Sequence, residues 1–215
     1  METTLNEIEC RLLGSLIEKE LATPEYYPLT LNSLTTACNQ KSNRHPVMTL
    51  EEAAVVRALD SLKLKHFALT AADGGRAPKY RHLLYEHLRL EPAELAVVAE
   101  LILRGPQTVG ELKGRVERMA VVGDLIETIL QDLTEQNLIT RLPRQPGRKE
   151  QRYAHLFSGE PLISEEEVST APEQARLQVM AENERLTALE EEVRLLREEM
   201  TVLRKTLEEF RGQFE

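Results

Sequence analysis

The sequence has no tryptophan, and aromatic residues fill only 4 % of its 215 positions. Its core must therefore come from Leu, Val, Ile and Ala, which suits packed helices, and apolar residues reach 41 %, enough to build one. Cysteine is nearly absent. Cys10 and Cys38 have neither metal-ligand nor redox-motif spacing and read as small residues near a helix core. No apolar run approaches the ~20 residues that span a bilayer. The opening METTLNEIEC lacks the basic-then-apolar order of a signal peptide. The chain therefore reads as soluble and cytoplasmic, with no membrane partner.

Catalytic signatures are missing as well. The glycine pair in GELKG lacks the spacing of a phosphate loop, and neither His-Glu-x-x-His nor Gly-x-Ser-x-Gly occurs. The histidines, at 45, 66, 82, 87 and 155, are scattered. No enzyme activity, cofactor or metal site is expected.

What is present is a repeat. LNEIECRLLGSLIEKEL carries Ile8, Leu12 and Leu16 at helical spacing. LTLNSLTTACN follows as a short helix with Thr30 as its N-cap. After a polar turn, NQKSNRHPVM, Thr49 and Glu52 form a capping box for a third helix with Val55, Leu59 and Leu62 inward. HFALT and KYRHLL then read as a hairpin. The second copy opens at Pro92 with Leu95, Val98 and Ile102 as its stripe. Thr108 caps a short second helix, a third covers roughly 122–136, and NLITRL and QRYAHLF make the hairpin. The return strands share a spelling, Tyr80-x-His82-Leu83 and Tyr153-x-His155-Leu156. Helix, helix, helix, hairpin is the order of a winged-helix domain. The expected fold is thus mainly α with small β-hairpins: one winged-helix domain over 1–88 and another over 89–163.

The net charge of −9 is uneven. Residues 164–215 hold 7 Lys+Arg against 14 Asp+Glu, and the body before them is nearly balanced. Residues 164–175 read as an acidic linker. Over 176–215 the apolar residues fall into heptads, with Leu186, Val193, Met200, Leu207 and Phe214 at a and Leu189, Leu196, Leu203 and Phe210 at d. This is the seam of a coiled coil. In a parallel pair Arg185 meets Glu190, Glu192 meets Arg197, and Glu199 meets Arg204, all opposite in sign. Self-association through a parallel homodimer is expected, with a helix folded back on its own body as the alternative.

Three stretches, TACNQKSNRHPVM, LILRGPQTVGELKGR and RQPGRKEQRYAHLFSGE, resemble the YceH-like family of bacterial proteins over roughly residues 5–160. The resemblance implies a tandem winged-helix body and no particular biochemistry. It differs at His45, where the family usually carries an acidic residue, so this turn is more basic.

Two partner classes follow. Double-stranded DNA would be held by phosphate contacts from the turn, through Lys41, Arg44 and His45, and from the hairpins. The hairpins supply Arg76, Lys79 and Arg81 in the first copy and Arg141, Arg144, Arg148, Lys149 and Arg152 in the second. Against DNA stands the third helix of the second copy. From 121 to 140 there is no Lys or Arg, while Asp124, Glu127, Asp132 and Glu135 are there. A helix meant for the major groove would be repelled by the phosphates flanking it. The alternative is a protein-interaction module that keeps the fold without reading DNA. The sequence alone favours DNA by a small margin.

Overall fold

The N-terminal helix starts where the sequence supplies a reciprocal cap. Asn6 accepts from the Glu9 amide at 2.9 Å, and Glu9 reaches back to the Asn6 amide at 2.7 Å. Two amides that the first turn leaves without helical partners are thereby satisfied. Helix α1 (Glu7–Ala22) follows, then strand β1 (Leu29–Thr30), α2 (Leu31–Cys38), α3 (Glu52–Leu64), β2 (Ala68–Ala71), β3 (Lys79–His82) and the short α4 (Leu84–Leu88). The second half repeats the series as α5 (Pro92–Arg104), β4 (Gln107–Thr108), α6 (Val109–Val116), α7 (Ile126–Glu135), β5 (Ile139–Arg141) and β6 (Arg152–His155). These elements come from a computed structural model, which describes residues 4–71, 77–144 and 150–161.

Each half closes a three-stranded antiparallel sheet with its last strand in the middle, β1-β3-β2 and β4-β6-β5. The registers coincide. Tyr80 lies opposite Leu29 and Tyr153 opposite Gln107, while His82 lies opposite Ala68 and His155 opposite Ile139. The shared spelling of the return strands is thus a shared position in two sheets.

Most element starts agree with the sequence reading. Thr30 caps α2 by accepting from the Ser33 amide, and Thr108 caps α6 in a reciprocal box with Glu111. Pro92 opens α5, where a missing amide proton costs nothing. Two expectations are corrected. Helix α3 begins at Glu52 behind Glu51, not behind Thr49. The stretch before it is held otherwise: the Asn39 amide brackets Leu50, accepting from its N–H at 2.7 Å and donating to its carbonyl at 2.9 Å. In the second half the expected helix over 122–136 starts only at Ile126, after a 3-10 turn over Gly123–Leu125 in which Gly123 has φ +52°.

The core is continuous across both halves. Helix α1 packs against α5, and their approach is close enough to require glycine. A Cβ added at Gly14 would lie 2.8 Å from Ile102 Cγ2 and 2.9 Å from Leu103 Cγ. Cys10 and Cys38 are buried, and burial pushes their thiols up to about 12 and about 11, as fits inert packing residues. No helix among the described residues is long and apolar enough to cross a membrane. The heptad seam from Leu186 to Phe214 lies outside the described residues, as do Arg76, Arg148 and Lys149.

Candidate functional site

The polar turn after α2 does not hold Arg44 out to solvent as the sequence suggested. The side chain runs inward and is fully buried. Its Nη1 donates to Glu18 Oε1 at 3.1 Å and its Nη2 to Glu18 Oε2 at 2.5 Å, a two-pronged pairing of guanidinium with carboxylate. The remaining donors go to the carbonyls of Ala37 and Asn43. With no N–H left over and no exposed face, Arg44 is a structural cation and not a phosphate contact.

Glu18 lies at the centre of a larger network that joins the two halves. Arg118, just beyond α6, reaches Glu18 Oε1 at 2.7 Å and Glu100 Oε1 at 2.7 Å. Glu100, equally buried, pairs with Arg104 one turn further along α5 at 2.9 Å. Arg104 in turn donates to the Asn43 side chain, and the His45 amide donates to the Leu103 carbonyl at 2.8 Å. The turn over 39–48 is thus bonded to α5 of the other half through main chain and side chain. Burial works to raise the Glu18 carboxyl, but Arg44 and Arg118 outweigh it and hold it below the usual carboxylate range. Arg118 is held above its ordinary value: burial opposes the rise, and Glu100 and Glu18 impose it.

The other expected contacts are dispersed. Lys41 and His45 are exposed on the turn. Arg81 is paired with Glu86. Arg152 lies 3.8 Å from Glu111 and donates to the Pro106 carbonyl at 3.1 Å. Lys79 and Arg144 each make interactions of their own. Arg141 and Arg144 line an open groove of about 600 Å³ between the second hairpin and the start of α6, with Tyr153, Gln151 and Glu150 also on its walls. Among the described residues proposed for DNA, this pair lies on one common surface.

The surface of α7 has the opposite character. Ile126, Ile129, Leu130 and Leu133 face the core, which leaves Glu127, Thr128, Gln131, Asp132 and Glu135 outward. Immediately before the helix Val121 is 93 % exposed and Leu125 63 % exposed. Asp124 between them is held by Lys113 at 3.0 Å. Sequence reasoning identified the carboxylates here but passed over the two bare apolar side chains, which carry no signal until the helix start is known.

Residues 5–148 match a family model described as a protein of unknown function, DUF480. The chain belongs to the DUF480 family. It is 66 % identical to a UPF0502 protein of Geobacter sulfurreducens, with all of both chains covered. A UPF0502 protein of Geotalea uraniireducens is 64 % identical over the same full span, and one of Citrifermentans bemidjiense 55 % identical over 90 % of each chain. The YceH-like resemblance of the sequence is consistent with these matches. Membership assigns no chemistry, so the function must be argued from the surfaces themselves.

Proposed function

We propose that this DUF480 protein is a non-enzymatic interaction module, built from two tandem winged-helix domains, whose partner is another protein. The winged-helix reading is supported by the series helix, strand, helix, helix, strand, strand in each half, with the final strand central in the sheet. The observation that carries the partner class is the outward face of α7 and the turn before it. In a DNA-reading winged helix that element enters the major groove and carries cations. Here it presents Glu127, Asp132 and Glu135 beside exposed Val121 and Leu125. Carboxylates beside bare apolar side chains suit a protein surface and oppose a phosphate backbone. The loss of Arg44 to the joint moves the balance further from DNA than the sequence alone had placed it.

The tail belongs to the same proposal. Its heptads and matched flanking charges favour a parallel two-stranded coiled coil, which would present two copies of the module together.

A second reading rests on Arg141 and Arg144, whose groove beside the second hairpin could hold a duplex by its backbone without reading its bases. The readings separate by charge reversal. Glu127→Lys with Asp132→Lys should abolish capture of the protein partners that the unmodified chain retains from a cell lysate. Equal capture by both chains would count against α7 as the contact.

A further inference from the structure

A pocket of about 200 Å³ opens at the joint between the halves, bounded by α1, the 39–48 turn, the end of α5 and strand β6. At ~30 Å³ per water it has the volume of about six or seven waters, below the range of pockets that hold drug-sized compounds. Cys10, Pro46, Met48 and Ile102 give it apolar walls. Two polar groups on the lining have needs that the protein does not meet.

The first is Arg11. Its side chain is buried at 2 % exposure, yet it donates only to the carbonyls of Cys38, at 3.4 Å, and Pro46, at 2.5 Å. Among the described residues no carboxylate lies within 4.0 Å of it. Arg44, a neighbour in the same joint, has Glu18 in direct contact, whereas Arg11 is favoured only through space by Glu7, one turn earlier on α1, with no ion pair formed. A buried charge without a directly paired counter-charge is costly. Burial, followed by the repulsion of Arg44, lowers its proton affinity below that of an ordinary guanidinium.

The second is His155, whose Nδ1 is buried without a hydrogen-bond partner. The duplicated fold supplies a control. His82 occupies the same register in the first sheet, and there Nδ1 accepts from the Leu84 amide at 3.2 Å, while Nε2 lies against Glu20 without a hydrogen bond. The two equivalent histidines differ at Nδ1: that of His82, away from the pocket, accepts from a backbone amide, and that of His155, on the pocket lining, has no partner. Burial lowers its pKa to about 4, so at neutral pH the ring is uncharged and still carries one N–H.

We propose that this pocket binds a small organic monocarboxylate with an apolar body. A carboxylate only accepts hydrogen bonds, and it would supply both the counter-charge for Arg11 and an acceptor for His155. The apolar walls take the hydrocarbon part and disfavour inorganic anions. Glu7, also on the lining, already offsets part of the Arg11 charge through space, which leaves room for one anionic group and not two. Because the walls come from both halves, the ligand would tighten the joint.

The full chain titrated with butyrate, hexanoate and benzoate to about 10 mM tests this, read by the ring resonances of His155 and by thermal unfolding. At least one acid should shift the His155 ring saturably and raise the unfolding temperature. Hexanamide, its neutral counterpart, should bind about tenfold more weakly or worse, the loss expected for a charge-assisted hydrogen bond. Cys10→Met, which fills the pocket without touching Arg11, should weaken binding in a chain that still unfolds cooperatively. The absence of any saturable shift overturns the proposal, as does binding that leaves His155 unmoved or an amide that binds as well as the acid.

Discussion

Arg44 lies on Glu18 through two side-by-side hydrogen bonds, in a place where neither side chain reaches solvent. Removing Arg44 leaves the buried Glu18 carboxylate with Arg118 as its nearest remaining cation. Because Arg118 still compensates Glu18, Arg44→Met is expected to cost about 2–3 kcal/mol, less than the ~3–5 kcal/mol of a fully stranded buried charge. Arg44→Lys keeps the charge but loses the fork and should fall between the two chains. Urea unfolding of the three measures the differences. A loss within 0.5 kcal/mol, the range usual for surface positions, would mean that the pair does not hold the joint.

The contact between α1 and α5 makes a sharper steric forecast. Gly14→Val places a branched side chain against Ile102 and Leu103, where even one carbon would lie 2.8 Å away. Overpacking of this kind costs about 1–3 kcal/mol. Gly110→Ala in α6, where an added carbon meets nothing within 4 Å, should be neutral or stabilising. Thermal unfolding of the two variants should move in opposite directions, or by very different amounts.

Acid should weaken the fold in two steps with separate causes. His155 has its pKa lowered from 6.5 to about 4 in the folded chain. Below pH 6.5 the unfolded chain therefore binds a proton that the folded chain refuses. Stability falls from there down to about pH 4, by roughly 3 kcal/mol in all. Glu18 acts lower. Its depressed carboxyl stabilises fully above its ordinary value of 4.5, and that contribution is lost as pH falls through its lower folded value. His155→Phe should flatten unfolding stability between pH 6.5 and 4 while leaving the steeper loss below. A variant with the original slope in the upper window would remove His155 as its source.

Sedimentation tests the tail. The full chain should be a dimer at micromolar concentration and a chain ending at Pro172 a monomer. Glu192→Lys with Glu199→Lys sets like charges against Arg197 and Arg204 and should weaken the dimer in a salt-dependent way. Monomers throughout would leave the seam without a parallel partner.

The repeat was legible because its signals are local. Thr30, Thr108 and Pro92 mark helix starts by chemistry that needs only three or four residues, and the Tyr-x-His-Leu spelling marked both return strands. Strands β1 and β4 were missed because two residues leave no period to read. Thr49 looked like a cap because Glu52 stands three residues on, yet the tertiary contact from Asn39 to Leu50 holds that segment extended and delays the helix. The role of Arg44 was illegible for a related reason. A basic residue in a polar turn reads as exposed unless its counter-charge is known, and Glu18 lies 26 positions earlier on a different helix. Glu18 itself looked like one of many solvated carboxylates. Ion pairs across distant elements leave no spacing in the sequence, so the joint became visible only with the fold.

The most direct measurement of the central claim is binding of the full chain to a generic duplex over a salt series. A protein that meets other proteins through α7 should show no saturable duplex binding even at low salt. Reversing Arg141 and Arg144 to glutamate should then change nothing in that assay. The contrary result is tight binding at low salt whose affinity falls steeply and linearly on logarithmic axes, as counterions are released from several phosphates. If the reversal of Arg141 and Arg144 also flattened that slope, the protein would be a duplex-binding one and the acidic face of α7 would need another explanation.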